Sequence, residues 1–337
     1  MTESLFKKYN NSKQEQFKDN QKLNELLSEL KSLLSPAQKE VENKISNNKW
    51  PFIFIVGSPR SGTTLILQWL ASLGCFAYAT NVLTRFAYAP YIGAQIQKML
   101  FDKEYDFNGD FSDIQSELKF NSDLGKSKGA LATNEFQHFF RNYMPNFDPE
   151  FLDEKQIRKV DFEGIRRGLS SIEYAFNKPF VTKAMMLQFN LSDFFDKISN
   201  AFFIFIKREP IYNMQSIYLA RKKYFGSEEI WWSVKPKEYE KLKEMDVYHQ
   251  IAGQVYYTSK SITEELNSFP EKNKLIINYK EFCETPEKIY QKFKKRLNEF
   301  DYDIDAKYKC KESFEEKKSI KLEEEIIIKL KDAYKFF

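Results

Sequence analysis

The chain has 337 residues, 42% of them hydrophobic, which suffices for a sizeable core and argues against global disorder. Its 52 Lys and Arg residues nearly balance 48 Asp and Glu residues, so the formal net charge is only +4. A dedicated nucleic-acid-binding protein usually presents a strongly basic face, and we therefore expect no nucleic-acid partner. The balance remains compatible with an anionic small molecule held by a few local cations.

The cysteines and the start of the chain indicate a cytoplasmic protein. Three widely separated cysteines, with only two histidines, provide neither a disulfide framework nor the spacing of a zinc site. The N-terminus lacks the apolar stretch of a signal peptide, and nowhere do 18 apolar residues run together as in a transmembrane helix. The sequence leaves open whether the chain forms a homo-oligomer.

Residues 1–49 are predicted to form a helical extension, and residues 50–337 a single domain without an internal repeat or low-complexity linker. The extension is polar, and its leucines predict an amphipathic helix that ends before Pro36. These leucines are Leu23, Leu26, Leu27, Leu30, Leu33 and Leu34. The helix is expected to cover part of the core or, less favoured, to bind a partner. Residues 86–175 are Phe-rich and predicted to form a helical insertion or cap over the sheet edge.

A strand, a glycine-containing loop and a helix open the main domain. The run Pro51–Val56 is short, continuous and apolar, as is typical of a buried parallel strand. The loop GSPRSGTT, residues 57–64, follows it. The next segment, LILQWLASLG, has helical apolar spacing, with Gly74 where a helix C-cap belongs. This order is typical of a phosphate-binding βα unit.

Three further apolar runs predict strands at Phe180–Met185, Ala201–Ile206 and Lys274–Tyr279. Pro210 is well placed to start the helix after the second run, and Thr285 to act as N-cap of the helix after the third. Alternating strands and helices indicate an α/β fold, in which a parallel β-sheet is flanked by helices.

The loop composition favours a compact anion that is bound without a metal. Gly57 and Gly62 let the backbone turn tightly and aim its N–H groups at an anion, next to the positive end of the following helix. A nucleotide kinase or NTPase would have lysine where Thr63 stands. The cation here is Arg60, and the strand Ala201–Ile206 is followed by Lys and Arg rather than by a metal-binding carboxylate. A phosphosulfate fits these features.

With this loop the sequence resembles the PAPS-dependent sulfotransferase family, whose sulfuryl donor is 3′-phosphoadenosine-5′-phosphosulfate (PAPS). GSPRSGTT is similar to the PRSGTT form of its 5′-phosphosulfate loop. The resemblance implies a P-loop-like sulfotransferase fold, in which Arg60 binds the sulfate and the bridging oxygen. It implies that the 5′-phosphate is cradled by Ser61, Gly62, Thr63 and Thr64. In FFIFIKREPIYNMQS, Arg208 and Ser216 match the family's binding pair for the 3′-phosphate.

A third segment, KLIINYKEFCETPEKI, resembles the family's strand that ends in a Tyr–Glu-type pair before a proline-started helix. There Tyr279 and Glu281 are expected to be scaffold.

The resemblance spans roughly residues 51–298 and implies a reaction. A sulfuryl group would pass in line from PAPS to a hydroxyl or amine of an unidentified acceptor, leaving PAP, the desulfated nucleotide, with no metal.

The catalytic residues are less clear from the resemblance. Lys183 matches a lysine that the family places near the transferring sulfate. The small-molecule branch has a histidine two residues later, but Met185 stands there. The glycan- and peptide-modifying branches use a glutamate, for which Glu135 in TNEFQHFF is the candidate. His138 is the alternative base, three residues away and on the same face if the segment is helical.

The sequence leaves two contacts to PAPS without an assigned residue, and it leaves two alternative functions open. The family's Arg-Lys-Gly contact to the 3′-phosphate is missing, and Lys311, Lys317 and Lys318 are only nearby cations. Leu65 replaces an aromatic that stacks on adenine in some members. The alternatives are an Mg²⁺-dependent P-loop phosphotransferase and a non-catalytic protein that binds PAP or a protein partner.

Overall fold

The computed structural model describes residues 9–45, 50–114, 118–198, 200–300, 302, 304 and 307–337. In this part of the chain, one sheet of five parallel strands has the order β2-β3-β1-β4-β5. The strands are β1 Phe52–Val56, β2 Ala77–Tyr78, β3 Phe180–Lys183, β4 Ala201–Lys207 and β5 Lys274–Asn278. The predicted α/β fold with a parallel sheet is confirmed.

Helices of very different lengths surround this sheet. Those before β4 are α1 Gln21–Glu42, α2 Thr63–Ser72, α3 Asn81–Arg85, α4 Pro90–Phe101, α5 Gln137–Phe140, α6 Glu154–Ile157, α7 Phe162–Phe176 and α8 Leu191–Lys197. Those after β4 are α9 Pro210–Phe225, α10 Tyr239–Leu242, α11 Val247–Asn267, α12 Tyr279–Glu284, α13 Pro286–Asn298 and α14 Glu324–Lys335. Short 3₁₀ turns lie at Glu15–Phe17 and Glu271–Asn273.

The central strand β1 is buried on both faces, which explains its continuous apolar sequence. Because successive side chains alternate across a strand, Phe52, Phe54 and Val56 join one hydrophobic cluster with α7. Ile53 and Ile55 join another with α2 and α13. Helices therefore pack on both faces of the sheet and hold its strands in place.

The carboxyl ends of three neighbouring strands meet where the loop 57–64 begins. Ile55 of β1 pairs with Lys183 at the end of β3, and Val56 pairs with Phe205 near the end of β4. In open parallel sheets, ligands bind outside the carboxyl ends of the strands. The topology thus brings Lys183, the loop and Arg208 to one edge.

The prediction that α1 ends before Pro36 is wrong, because the helix continues to Glu42. A proline removes one backbone hydrogen bond, and tertiary contacts beyond it hold the helix here. Gln38 is buried; its Nε2 donates to Ser171 Oγ at 3.1 Å, and its Oε1 accepts from the Tyr91 N–H at 3.0 Å. The boundary at residue 49 stays a prediction, since residues 46–49 lie outside the described part.

Two further local predictions hold only in part. The segment 86–175 contains helices, but a long irregular stretch, in which residues 115–117 are not described, separates α4 from α5, and its role as an insertion or cap stays a prediction. Thr285 is the N-cap residue of α13 by position, as predicted, but its side chain does not cap the helix, because its hydroxyl donates to the Glu281 carbonyl at 3.0 Å. The preceding helix α12 ends directly before Thr285 and offers that carbonyl.

Within the described residues, no helix has the length and apolar character needed to cross a membrane.

Candidate active site

The loop after β1 turns tightly by means of two left-handed residues. Arg60 has a φ of 67° and Gly62 a φ of 110°. A Cβ atom at position 62 would lie 2.6 Å from Cδ2 of the Tyr279 ring, so only glycine fits there. The loop therefore packs directly against Tyr279, the residue that follows β5.

The loop and the start of α2 form a cradle for an anion. The first bond of the helix runs from the Ile66 N–H to the Gly62 carbonyl at 3.1 Å, so the earlier amides have no partner within the helix. Among the described residues, no side chain caps this end. Ser61 Oγ is buried without a hydrogen-bond partner in the described part of the chain. Free donors at a positive helix end suit a phosphate or sulfate.

Arg60 joins two segments that lie far apart in sequence. Its Nε donates to Ser216 Oγ on α9 at 2.8 Å, and its backbone carbonyl accepts from Nη1 of Arg208 at 3.0 Å. Burial lowers the pKa of Arg60, and the nearby Glu135 carboxylate opposes that shift. A guanidinium stays charged at neutral pH regardless. Arg208 and Ser216, the pair predicted to bind the 3′-phosphate, thus both contact Arg60, which is predicted to bind the sulfate.

Arg208 is held in place by aromatic rings and by the C-terminal strap, which we define as residues 310–321. The guanidinium carbon lies 4.6 Å from the centre of the Tyr279 ring and 5.4 Å from that of Tyr212. Its Nη2 donates to the carbonyl of Lys317 in the strap. The strap is also fixed to α9, because Gln215 donates to the Ser319 carbonyl at 2.9 Å.

Lys183, which is buried, and Glu135, which is half-buried, form an ion pair beside the loop. Lys183, only 4% exposed, places its Nζ 2.5 Å from Glu135 Oε1 and 3.1 Å from Thr64 Oγ1. The other oxygen of Glu135 accepts from Gln137 Nε2 at 2.7 Å. A carboxylate, an ammonium and a loop hydroxyl therefore meet at the mouth of the anion cradle.

Glu135 lies before the helix that contains His138, so the condition under which the two would share a helix face is not met. The N–H of Phe136 donates to Asn134 Oδ1 at 3.1 Å, and Phe136 is left-handed with a φ of 58°. This local turn delays the helix until Gln137. Among the described residues, no hydrogen bond or ion pair connects His138 with Lys183 or the loop. His138 is exposed by surface area, but desolvation of its ring by the surrounding protein, with smaller contributions from Arg141 and Arg85, lowers its pKa to about 4.

Comparison with known proteins identifies the group to which this site belongs. The profile described as the sulfotransferase family matches residues 51–299, which is more than half of the chain. The chain belongs to the sulfotransferase family. Sulfuryl transfer is therefore its general chemistry. No curated protein sequence matches this sulfotransferase significantly.

Solved structures agree with the fold of this sulfotransferase. Sulfotransferase STF9 from Mycobacterium avium superposes with a TM-score of 0.53 at 11% identity, over 89% of this chain and 72% of that chain. Sulfotransferase STF1 from Mycobacterium tuberculosis H37Rv gives a TM-score of 0.51 at 12% identity, over 79% and 72% of the two chains. At such low identity the likeness shows the fold alone.

Several residues near the site of this sulfotransferase are not apparent from its sequence. Gln137 contacts Glu135, and Tyr279, predicted as scaffold, packs on both Arg208 and Gly62. Of the three candidate lysines, Lys317 reaches Arg208 through its backbone carbonyl rather than its charge. Proline-started helices and glycines are local signals, but Tyr279 and Lys317 approach Arg208 only because segments far apart in sequence meet.

Proposed function

We propose that this member of the sulfotransferase family uses PAPS as donor and transfers its sulfuryl group to a hydroxyl or amine, releasing PAP. The observation that carries the proposal is the convergence of the loop 57–64 with Arg208 and Ser216, joined by the Arg60–Ser216 hydrogen bond. PAPS carries negative charge at two places, the 5′-phosphosulfate and the 3′-phosphate. A site that offers cations and backbone amides at two adjoining positions suits such a donor.

In this proposal each anionic end has its own set of residues. The amides at the start of α2 and the hydroxyls of Ser61, Thr63 and Thr64 hold the 5′-phosphate, while Arg60 binds the sulfate. The Ser61 hydroxyl and the start of α2, neither of which has a side-chain partner among the described residues, support this assignment. Arg208 and Ser216 bind the 3′-phosphate. ATP has no 3′-phosphate, so this second set selects PAPS over ATP.

The chemistry we propose uses three side chains. Glu135 accepts the proton of the acceptor while the acceptor oxygen or nitrogen forms its bond to sulfur. The bond from sulfur to the bridging oxygen breaks, and the electron pair stays on the leaving phosphate oxygen. Arg60 and Lys183 stabilise that charge. Lys183 also orients Glu135, since the two groups are 2.5 Å apart.

Binding of PAP without a metal tests the choice of donor. At about a hundred times its dissociation constant, PAP is expected to raise the free energy of unfolding by about 2.7 kcal/mol. The measurement is thermal unfolding in EDTA with PAP, compared with Mg·ATP at the same concentration. A larger stabilisation by Mg·ATP would favour the P-loop phosphotransferase instead.

Arg208→Ala tests the assignment of the 3′-phosphate. A charge-assisted hydrogen bond contributes about 1.5–3 kcal/mol, so the affinity for PAP should fall about tenfold to a hundredfold. Calorimetric titration of PAP and of adenosine 5′-phosphate into both proteins measures this. Arg158→Ala is the control, because Arg158, directly after α6, is exposed and pairs with Glu154. Equal affinity of the wild type for both nucleotides would refute the assignment.

A further inference from the structure

A tight turn from the irregular stretch lies at the mouth of the anion cradle. The backbones of Asp123 and Lys126 exchange two hydrogen bonds of 2.8 Å each. The two central residues are both left-handed, Leu124 with a φ of 48° and Gly125 with a φ of 85°. This combination defines a type I′ turn, whose shape is fixed by its own backbone. We call residues 123–126 the mouth turn.

The mouth turn is attached to helices on both sides of the site. Buried Gln68 of α2 donates to the carbonyls of Lys119 and Asn121, at 3.1 and 2.9 Å, just before the turn. On the other side, Lys223 of α9 donates to both carboxylate oxygens of Asp123 at 2.7 Å. The turn therefore bridges the helix that follows the loop and the helix that carries Ser216.

Gly125 brings the mouth turn onto the groups assigned to transfer. A Cβ atom there would lie 3.4 Å from Glu135 Oε1, 3.5 Å from Thr64 Oγ1 and 3.9 Å from Arg60 Nη1. Gly125 itself is buried. One methyl group at this position would thus contact the carboxylate, the loop hydroxyl and the guanidinium at the same time.

We propose that the mouth turn is the outer wall of the transfer centre and that Gly125 determines specificity there, its missing side chain leaving room for the sulfuryl group. This inference rests on the proposed function, since it assumes PAPS as donor. PAP lacks the sulfuryl group and needs no such room. A side chain at position 125 should therefore discriminate against PAPS and tolerate PAP.

Gly125→Ala tests the inference by nucleotide binding alone, so no acceptor is needed. Overpacking costs about 1–3 kcal/mol, and the affinity for PAPS should fall about tenfold or more, whereas the affinity for PAP changes less than about twofold. Calorimetric titrations of PAPS and PAP measure both. Gly74→Ala is the matched control, because its φ of 75° imposes similar strain and nothing lies within 4 Å of the added Cβ.

The outcomes separate this inference from the choice of donor. Equal weakening of PAPS and PAP by Gly125→Ala, or no weakening of either, would overturn the role of Gly125. Should the alanine variant not fold, Gly125→Asn replaces it, since asparagine tolerates left-handed backbone and has a larger side chain. Failure of the wild type to bind either nucleotide would instead reject PAPS as donor, and the inference with it.

Discussion

Replacing Glu135 by glutamine is expected to lower kcat about 10²- to 10⁴-fold and to leave the affinity for PAP unchanged. Glutamine keeps the shape of the side chain but cannot accept the acceptor proton. The carboxylate lies next to Lys183 and the loop hydroxyl of Thr64, where the proposed chemistry requires a base. The acceptor for this assay is first identified by mass spectrometry of hydroxyl and amine compounds incubated with PAPS.

Two control variants make the Glu135 result specific. His138→Asn should retain turnover, because among the described residues the side-chain contacts of Lys183 go to Glu135 and Thr64, and none goes to His138. Glu163→Gln repeats the chemical change at an exposed carboxylate of α7 that pairs with Arg166. A large loss in His138→Asn together with an active Glu135→Gln would exchange the roles of the two residues.

Arg60→Met is expected to lower kcat about 10²- to 10³-fold while PAP binding changes little. The side chain donates to Ser216 and interacts electrostatically with Glu135, and in the proposed transfer it stabilises the leaving oxygen there. Of its two contacts with the proposed 3′-phosphate pair, methionine keeps the backbone carbonyl that Arg208 contacts and loses only the hydrogen bond to Ser216. Calorimetry with PAP and turnover with PAPS separate the two functions.

Arg60→Lys is the matched variant, since it restores a charge without the planar guanidinium. It should recover part of the turnover that Arg60→Met loses, because lysine can stabilise charge but cannot bind in a bidentate manner. The prediction fails if PAP affinity falls as much as kcat in Arg60→Met. Arg60 would then be a nucleotide ligand without a role in transfer.

The central fold could be predicted because its signals are local. Continuous apolar runs indicated β1, β3, β4 and β5, and the flanking glycines and prolines indicated where helices begin or end. The strand β2 has only two residues, too few for a pattern. Pro36 predicted a helix end, but contacts of the buried Gln38 with distant residues override that signal.

The site was predictable only in part, for a related physical reason. The family resemblance pointed to Arg60, Lys183 and Arg208, and the structure places them near one another because the carboxyl ends of neighbouring parallel strands meet at one edge. The position of Glu135 depends on the left-handed turn at Phe136, a buried residue whose ring stacks on Phe139 at 4.9 Å. Packing of that ring, which no helical periodicity reveals, sets the direction of the carboxylate.

The contact between Arg208 and the Lys317 carbonyl has a thermodynamic consequence under the proposed function. A phosphate that binds the Nη2 donor of Arg208 must displace the Lys317 carbonyl, and it can do so because its full negative charge interacts more strongly with the guanidinium than a partial one. Any free energy that favours the carbonyl-bound arrangement is subtracted from nucleotide binding, and by linkage the nucleotide shifts the strap by the same amount. Substitutions within residues 310–321 that never meet the nucleotide can therefore alter its dissociation constant.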